Sequence, residues 1–297
     1  MTLTAADDFF HAPTTEAPWW SETYWFCFDD PSTGLSGTFY PLLRRNLGVA
    51  ALTVAIWSPG RDTAWLAPYY RSLWHLRAPE FDGKVMTFHG LRYEILEPLN
   101  RYAVRFEDAG RFSADLVFTG ITDNYVVAAT PGGGHWDQPC SVRGTLDFGG
   151  ARVELDCFGM RDRSWGPRQD DATTRASYIY GINAHASFLV VTRYPDGAAS
   201  GYVEMDGARV RVIGARHDIE RDGQRRAIRT TIELMTADGG TVRIRGHARN
   251  HLAKQATPGH FAWMSMFAWD FAGESFGEYQ DVWSPDLLAA ENRPTTL

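Results

Sequence analysis

The sequence predicts an all-β fold of antiparallel strands closing into barrels or sandwiches, as one large unit or as two halves packed together, with a short C-terminal helix. Three observations predict it. Apolar and polar residues alternate with period two over much of the chain, Asp-Gly and Gly-Gly pairs recur at hairpin spacing, and helical periodicity is scarce.

The alternation is plain in both halves of the chain. Tyr102, Val104 and Phe106 interleave with Arg101, Arg105 and Glu107, and Val242, Ile244 and Gly246 interleave with Arg243, Arg245 and His247. Ile228, Thr230, Ile232 and Leu234 alternate with Arg229, Thr231 and Glu233, while Val210 and Val212 sit between Arg209 and Arg211. Each pattern describes a strand with one buried and one wet face. The aromatic run from Trp19 to Phe28 differs, because Tyr24, Phe26 and Phe28 share one face and Trp25 and Cys27 the other. That strand is expected to be buried on both sides, with one face in the core and one lining a cavity.

The turns follow from local chemistry. Asp196-Gly197, Asp206-Gly207, Asp222-Gly223 and Asp238-Gly239 each stand between strand-like runs, and Phe148-Gly149-Gly150 joins Gly144–Asp147 to Arg152–Cys157. Hairpins in series, without βαβ spacing, favour antiparallel sheets that close on themselves or on each other. The cluster from Thr130 to Gly134 is the natural boundary, giving halves of residues 1–134 and 135–297. Helix is expected at Asp286–Glu291, after the cap Ser284 and Pro285, and a short one within Trp65–Leu76 despite Pro68.

Composition narrows the function. With 44% hydrophobic and 22% charged residues, the 297-residue chain can bury a full core. A net charge of −7 disfavours nucleic acid, and the run Arg221–Arg229 reads as the solvated side of a hairpin. The longest apolar stretch, Val49 to Trp57, is too short for a membrane span, and the start lacks a signal-peptide pattern, so a cytoplasmic location is expected. Cys27, Cys140 and Cys157 form no disulfide or zinc spacing and read as buried thiols. No nucleotide, hydrolase or zinc-protease motif occurs, and His247 with His251 lies on a strand, so neither metal nor cofactor is expected. Eleven Trp, 12 Tyr and 17 Phe exceed what a core needs and suit the walls of a ligand cavity.

The densest constellation is Gly159-Met160-Arg161-Asp162-Arg163-Ser164-Trp165-Gly166-Pro167-Arg168. Gly159 with the run from Arg161 to Gly166 resembles the central motif of the lipocalin-like carotenoid hydratase (hydroxyneurosporene synthase) superfamily, which also takes in tocopherol-cyclase-like proteins. The stretch Trp19 to Asp30, His135 with Gln138, Gly201-Tyr202 with Asp206-Gly207, and Gly277-Glu278-Tyr279 are similar too, so the resemblance covers most of the chain. It implies two lipocalin-like halves around a cavity and a cofactor-free lyase or isomerase, a hydratase or cyclase, acting on an isoprenoid-like substrate.

Such chemistry starts with a proton and passes through a carbocation, which needs an acid and π-faces. Asp162 is the candidate acid with Trp165 as a wall, His135 a relay or base, and Glu278 a second acid. Trp25, Tyr24, Tyr180, Trp263 and Tyr279, with Arg168, are the candidates for the substrate wall. The residues also admit structural roles. Arg168 shares a strand side with Asp162, so the two could form a buried ion pair that depresses the carboxyl pKa and spoils it as an acid. His135 could be a satisfied structural histidine, Trp165 plain core, and Glu278 a surface carboxylate. A carrier of a hydrophobic small molecule, or a pericyclase that shapes a polyene without an acid, are the alternatives to the enzyme. Closed barrels have few sticky edges, so a monomer or homodimer is expected.

Overall fold

Period-two sequence and tight turns produce twenty strands among the described residues, which are 2–130, 132–168, 175–194, 197–257 and 259–291 of this computed structural model. The first twelve are β1 (Trp20–Asp30), β2 (Leu35–Arg44), β3 (Val49–Trp57), β4 (Tyr69–Arg77), β5 (Phe81–Asp82), β6 (Val85–Phe88), β7 (Leu91–Glu97), β8 (Arg101–Asp108), β9 (Phe112–Gly120), β10 (Tyr125–Thr130), β11 (Gly133–Asp147) and β12 (Arg152–Pro167). The remaining eight are β13 (Arg175–Ile182), β14 (Ala186–Tyr194), β15 (Ala199–Met205), β16 (Ala208–Arg221), β17 (Ala227–Thr236), β18 (Thr241–Thr257), β19 (His260–Asp270) and β20 (Glu274–Trp283). The helix α1 (Pro285–Glu291) follows, and the Leu287 N–H donates to Ser284 Oγ at 3.2 Å, as the capping sequence predicts.

Two compact units result, one of Met1–Trp57 with Ala67–Gln169, the other of Ser58–Leu66 with Asp170–Leu297. A boundary at 134/135 would fall inside β11 and cut its ladder with β12, which begins at Gly134↔Trp165. The glycine cluster opens a long strand rather than a linker, and Pro131 lies outside the described residues.

In the first unit, strands run in the order β4-β3-β2-β1-β12-β11-β9-β8-β7-β6-β5, with β10 beside β11. All are antiparallel, and β12 is central, pairing with β1 on one side and β11 on the other. One face of this curved sheet gathers the core, including Tyr24, Phe26, Phe28, Tyr93, Tyr102, Phe118 and Trp136. This settles the aromatic front strand: Tyr24, Phe26 and Phe28 pack the core, and the opposite face carries Trp25 and Cys27. The expected helix within Trp65–Leu76 is instead β4, where Tyr69 stacks on Phe112 at 4.4 Å and ladder bonds to β3 override a short helical pattern.

The second unit is a closed eight-stranded barrel, β13 through β20, each strand bonded to the next and β20 back to β13. Its core includes Ile179, Val190, Ile232, Ile244, Phe267, Trp269 and Tyr279. Asp206 and Gly207 both take positive φ, 48° and 80°, as a two-residue hairpin requires. Asp196 lies outside the described residues. The basic run does form a hairpin, but Arg221 turns inward to Asp281 instead of facing water. All three cysteines are free and buried, and no helix among the described residues is long and apolar enough to cross a membrane.

Candidate functional site

Because β12 is flanked by two antiparallel partners, residues in register across β1, β12 and β11 project to the same side. One row is Trp25–Asp162–Asp137 and the next is Thr23–Ser164–His135. Neighbouring rows, Phe26–Arg161–Gln138 and Tyr24–Arg163–Trp136, project to the core side. The central motif is thereby split by strand parity: its arginines turn inward and its carboxylate and serine outward.

Inward, each arginine meets a carboxylate. Arg161 is fully buried over Trp136 and Tyr102, at 3.9 and 4.3 Å from their rings, and its Nη2 donates a short hydrogen bond to Asp8. Asp8 also accepts from Tyr102 OH at 2.9 Å and from Leu99 N–H at 2.6 Å. Arg163 pairs with buried Glu22 at 2.5 Å, donates to the Phe9 carbonyl at 2.8 Å and lies 4.1 Å from the Tyr24 ring. Burial opposes ionisation of Glu22, yet Arg163 and the hydrogen bonds from His11 hold its pKa below the usual value. Trp165 shares this inward face and stacks on His11 at 3.9 Å, so it does not wall Asp162. Tyr24 is likewise core.

Outward, His135 Nε2 makes a short hydrogen bond to Asp162 and lies 3.5 Å from Asp137 Oδ1. The His135 and Asp162 side chains stay 20% and 13% exposed, whereas Asp137 is fully buried, so a substrate can reach the first two and not the third. Burial works against the imidazolium, but the two carboxylates outweigh it and push His135 up to about 10. Burial likewise disfavours the Asp162 anion, and His135, with a further contribution from Arg168, drives its pKa below the ordinary value. That direction favours the Asp162 anion over the neutral carboxylic acid that the sequence suggests. Its partner is His135. Arg168 instead is exposed and reaches Ser164 Oγ at 2.7 Å, and Ser164 Oγ in turn lies 2.8 Å from Thr23 Oγ1. Trp25, aligned with Asp162, donates from Nε1 to Thr38 Oγ1 at 2.8 Å, which fixes its ring.

The donor atoms of His135, Asp137 and Asp162 all lie within 4.8 Å of one another. One imidazole and two carboxylates could hold a divalent cation once the imidazolium proton is lost. The raised His135 pKa makes that proton the stronger competitor as pH falls.

Glu278, Tyr180, Trp263 and Tyr279 belong to the second unit. Glu278 is fully buried, not a surface carboxylate, and accepts from Gln280 Nε2 at 3.3 Å next to buried Tyr180 on the neighbouring strand. Tyr279 is in the barrel core, and Trp263 meets Phe261 edge-on at 5.1 Å. His247 is exposed while His251 is buried against Ser265 at 2.8 Å, because a bulge between Ala248 and Asn250 reverses the strand's parity.

Asp137, Asp8, Glu22 and His11 are absent from the residues picked out by sequence. Asp137 had a legible signal, since on a strand it shares a side with His135 two positions earlier. The ion pairs from Asp8 and Glu22 span 153 and 141 positions and leave no local trace.

A described family, a domain of unknown function designated DUF7064, matches residues 4–274. The chain belongs to the DUF7064 family. No curated protein matches it. Among solved structures, this DUF7064 chain is similar to an AttH-like protein of Nitrosomonas europaea, with TM-score 0.68 and 12% identity over 89% of this chain and 92% of that one. CghA in complex with Sch210972 follows at TM-score 0.60 and 13% identity, covering 89% and 88% of the two chains. Kievitone hydratase of Nectria haematococca matches at TM-score 0.58 and 8% identity, over 89% of each. At such identities the likeness shows the fold, and it bears out the lipocalin-like architecture for this DUF7064 protein.

Proposed function

We propose that this protein is a cofactor-independent lyase or isomerase that moves a proton on a hydrophobic small molecule, with the His135 imidazolium as donor. One observation carries the proposal: an imidazole on a reachable strand face is held charged between two carboxylates, beside the fixed ring of Trp25. Relative to the sequence expectation, the acid moves from Asp162 to His135. The class of reaction stays the same.

In the dehydration direction, His135 gives its Nε2 proton to a substrate hydroxyl as the C–O bond breaks, and water leaves. The carbon is left electron-deficient, and the Asp162 anion with the Trp25 π-face stabilises it. Neutral His135 then takes a proton from the adjacent carbon, the C–H pair becomes the alkene, and the imidazolium is restored. Hydration is the reverse. Support for a hydrophobic substrate comes from the aromatic content and the central motif's resemblance to carotenoid hydratases, which favours an isoprenoid. The architecture is shared with a protein named as a hydratase.

The test incubates the purified protein with terpenoid alcohols and polyenes in deuterated water and reads products and deuterium by mass spectrometry. Turnover with deuterium at the new C–H position is expected, and His135→Gln should lower it by about 10²–10⁴-fold. Parent-like turnover by His135→Gln would remove the proposal, and ligands bound without turnover would make the protein a carrier.

A further inference from the structure

The second-unit barrel turns two histidines toward its core. On β16, Ala215, His217 and Ile219 share the side that packs the core, and His217 is in register with core Ile232. Its Nε2 lies 2.9 Å from Thr192 Oγ1, and its Nδ1 is buried without a protein hydrogen-bond partner. The Tyr194 and Tyr279 rings stand edge-on to it at 6.4 Å. On the opposite wall His251, Ser265 and Tyr279 form one register row, and Tyr279 belongs to the core. His251 is buried, with Nδ1 at 2.8 Å from Ser265 Oγ.

Neither histidine has a carboxylate to spare for it. The titratable groups on the walls facing His217 are Tyr194 from β14, Tyr279 and Asp281 from β20, Arg175 from β13, and Arg221 from β16 itself. Strands β15 and β17 bring none among the described residues. Asp281 pairs with Arg221 at 2.5 Å and also answers Arg175, so a proton on His217 would add a third cation to one anion. Around His251 the charged groups are Arg226, Asp222 and Asp62, and Arg226 holds both carboxylates, at 2.7 and 3.6 Å. Burial therefore keeps both imidazoles neutral, each held down to about 4, with Arg226 adding to the effect at His251.

We infer that the closed barrel of the second unit is an acid-sensitive device, which opens in mildly acid solution while the first unit keeps its packing. A histidine held below its ordinary 6.5 withholds, when folded, a proton that the unfolded chain binds. Barrel stability thus declines from about pH 6.5 and goes on declining to about pH 4. Asp281, which burial pushes up, takes its proton more readily when folded and offsets part of the loss. The first unit does not share the trend. His135, raised in the fold, gives its full contribution below about pH 6.5. Glu22 and Asp162, both depressed, lose theirs only as pH falls through values below their ordinary 4.5 and 3.8. Opening lets both imidazoles charge and bares the core side chains Ile179, Val190, Ile232 and Phe267. The device lies in the second unit alone and stands whether or not His135 is catalytic.

The experiment takes the full chain from about pH 7.5 to about pH 4 and reads hydrogen–deuterium exchange peptide by peptide, corrected for the intrinsic rate, beside binding of an apolar dye. Peptides from β16 to β20 should lose protection first, together with dye binding, while those from β1 to β12 keep theirs. Combining His217→Gln with His251→Gln should lower the pH of half-opening by at least about one unit. His247→Gln, at an exposed histidine on the same strand as His251, should not move it. If the double variant does not fold, the parent decides by nuclear magnetic resonance of ¹³C-labelled histidine. At least two of its nine histidine signals should stay neutral until the barrel opens. Opening of the first unit first or of both together, an unmoved midpoint in the double variant, or nine signals that all titrate near pH 6.5 in the closed protein would each overturn the inference.

Discussion

Each unit sets an arginine against aromatic rings, yet the two are completed differently. In the first unit Arg161 lies 3.9 Å from the Trp136 ring, and the chain itself supplies Asp8 to neutralise it. In the second unit Arg175 lies 4.0 Å from the Trp283 ring and shares the Asp281 carboxylate with Arg221. One arginine has a carboxylate of its own and the other a shared one. Aromatic walls around a cation therefore do not show how its charge is answered. The accounting of partners does.

The comparison is broken most directly at the member with its own carboxylate. Asp8→Ala leaves the Arg161 charge buried and unpaired, so urea unfolding should show a loss of about 3–5 kcal/mol. A loss below about 1 kcal/mol would mean that Asp8 is no lock. The outward face should respond in two readouts. Asp162→Asn removes the strongest support of the His135 charge, so turnover should fall more than tenfold and the pair's contribution to stability near neutral pH should be lost with it.

Next in size is a pH effect. His135 has an ordinary pKa of 6.5 raised to about 10 in the folded chain, so its stabilisation is complete below about pH 6.5 and is lost as pH rises through 10. Asp162, whose pKa is depressed, contributes above its ordinary 3.8 and loses that contribution as pH falls through its lowered value. Thermal melts should show parent stability declining from neutral pH toward pH 10, with the slope reduced in His135→Gln. Turnover should follow the same alkaline limb, because the proton donor disappears there. The smallest effect is expected at the shared member: Arg175→Gln should cost less than about 1 kcal/mol, because Arg221 still pairs with Asp281. A loss comparable to that of Asp8→Ala would make Arg175 structural and end the contrast.

Strand content, hairpins and the α1 cap were legible because they depend on neighbours in sequence. Tyr102, Val104 and Phe106 are buried and Arg101, Arg105 and Glu107 exposed, as alternation requires. What depends on register across distant strands was not. His135 meets Asp162 because β11 and β12 pair at Asp137↔Asp162, a relation that no single strand displays. The same parity that puts Arg161 and Arg163 opposite Asp162 also puts Trp165 there, so the proposed wall was on the wrong side. The boundary failed for a related reason: glycines at Gly133 and Gly134 open β11, where the Trp165 ring lies over Gly134 and a Cβ would stand 2.6 Å from it. Gly159 ahead of the motif has an equally physical cause, since a Cβ there would stand 2.2 Å from the Cys27 carbonyl oxygen of the neighbouring β1.

The placement of β12 between β1 and β11 also governs how the chain comes to be made. β1 waits through more than a hundred residues of synthesis for the strand that completes its second edge, and Asp8 for an arginine 153 positions away. Until then an aromatic strand edge is open to other chains, and ladders of such high sequence separation form slowly. Nascent chains halted before Arg152 should thus leave the first unit aggregation-prone, and those halted past Pro167 should not.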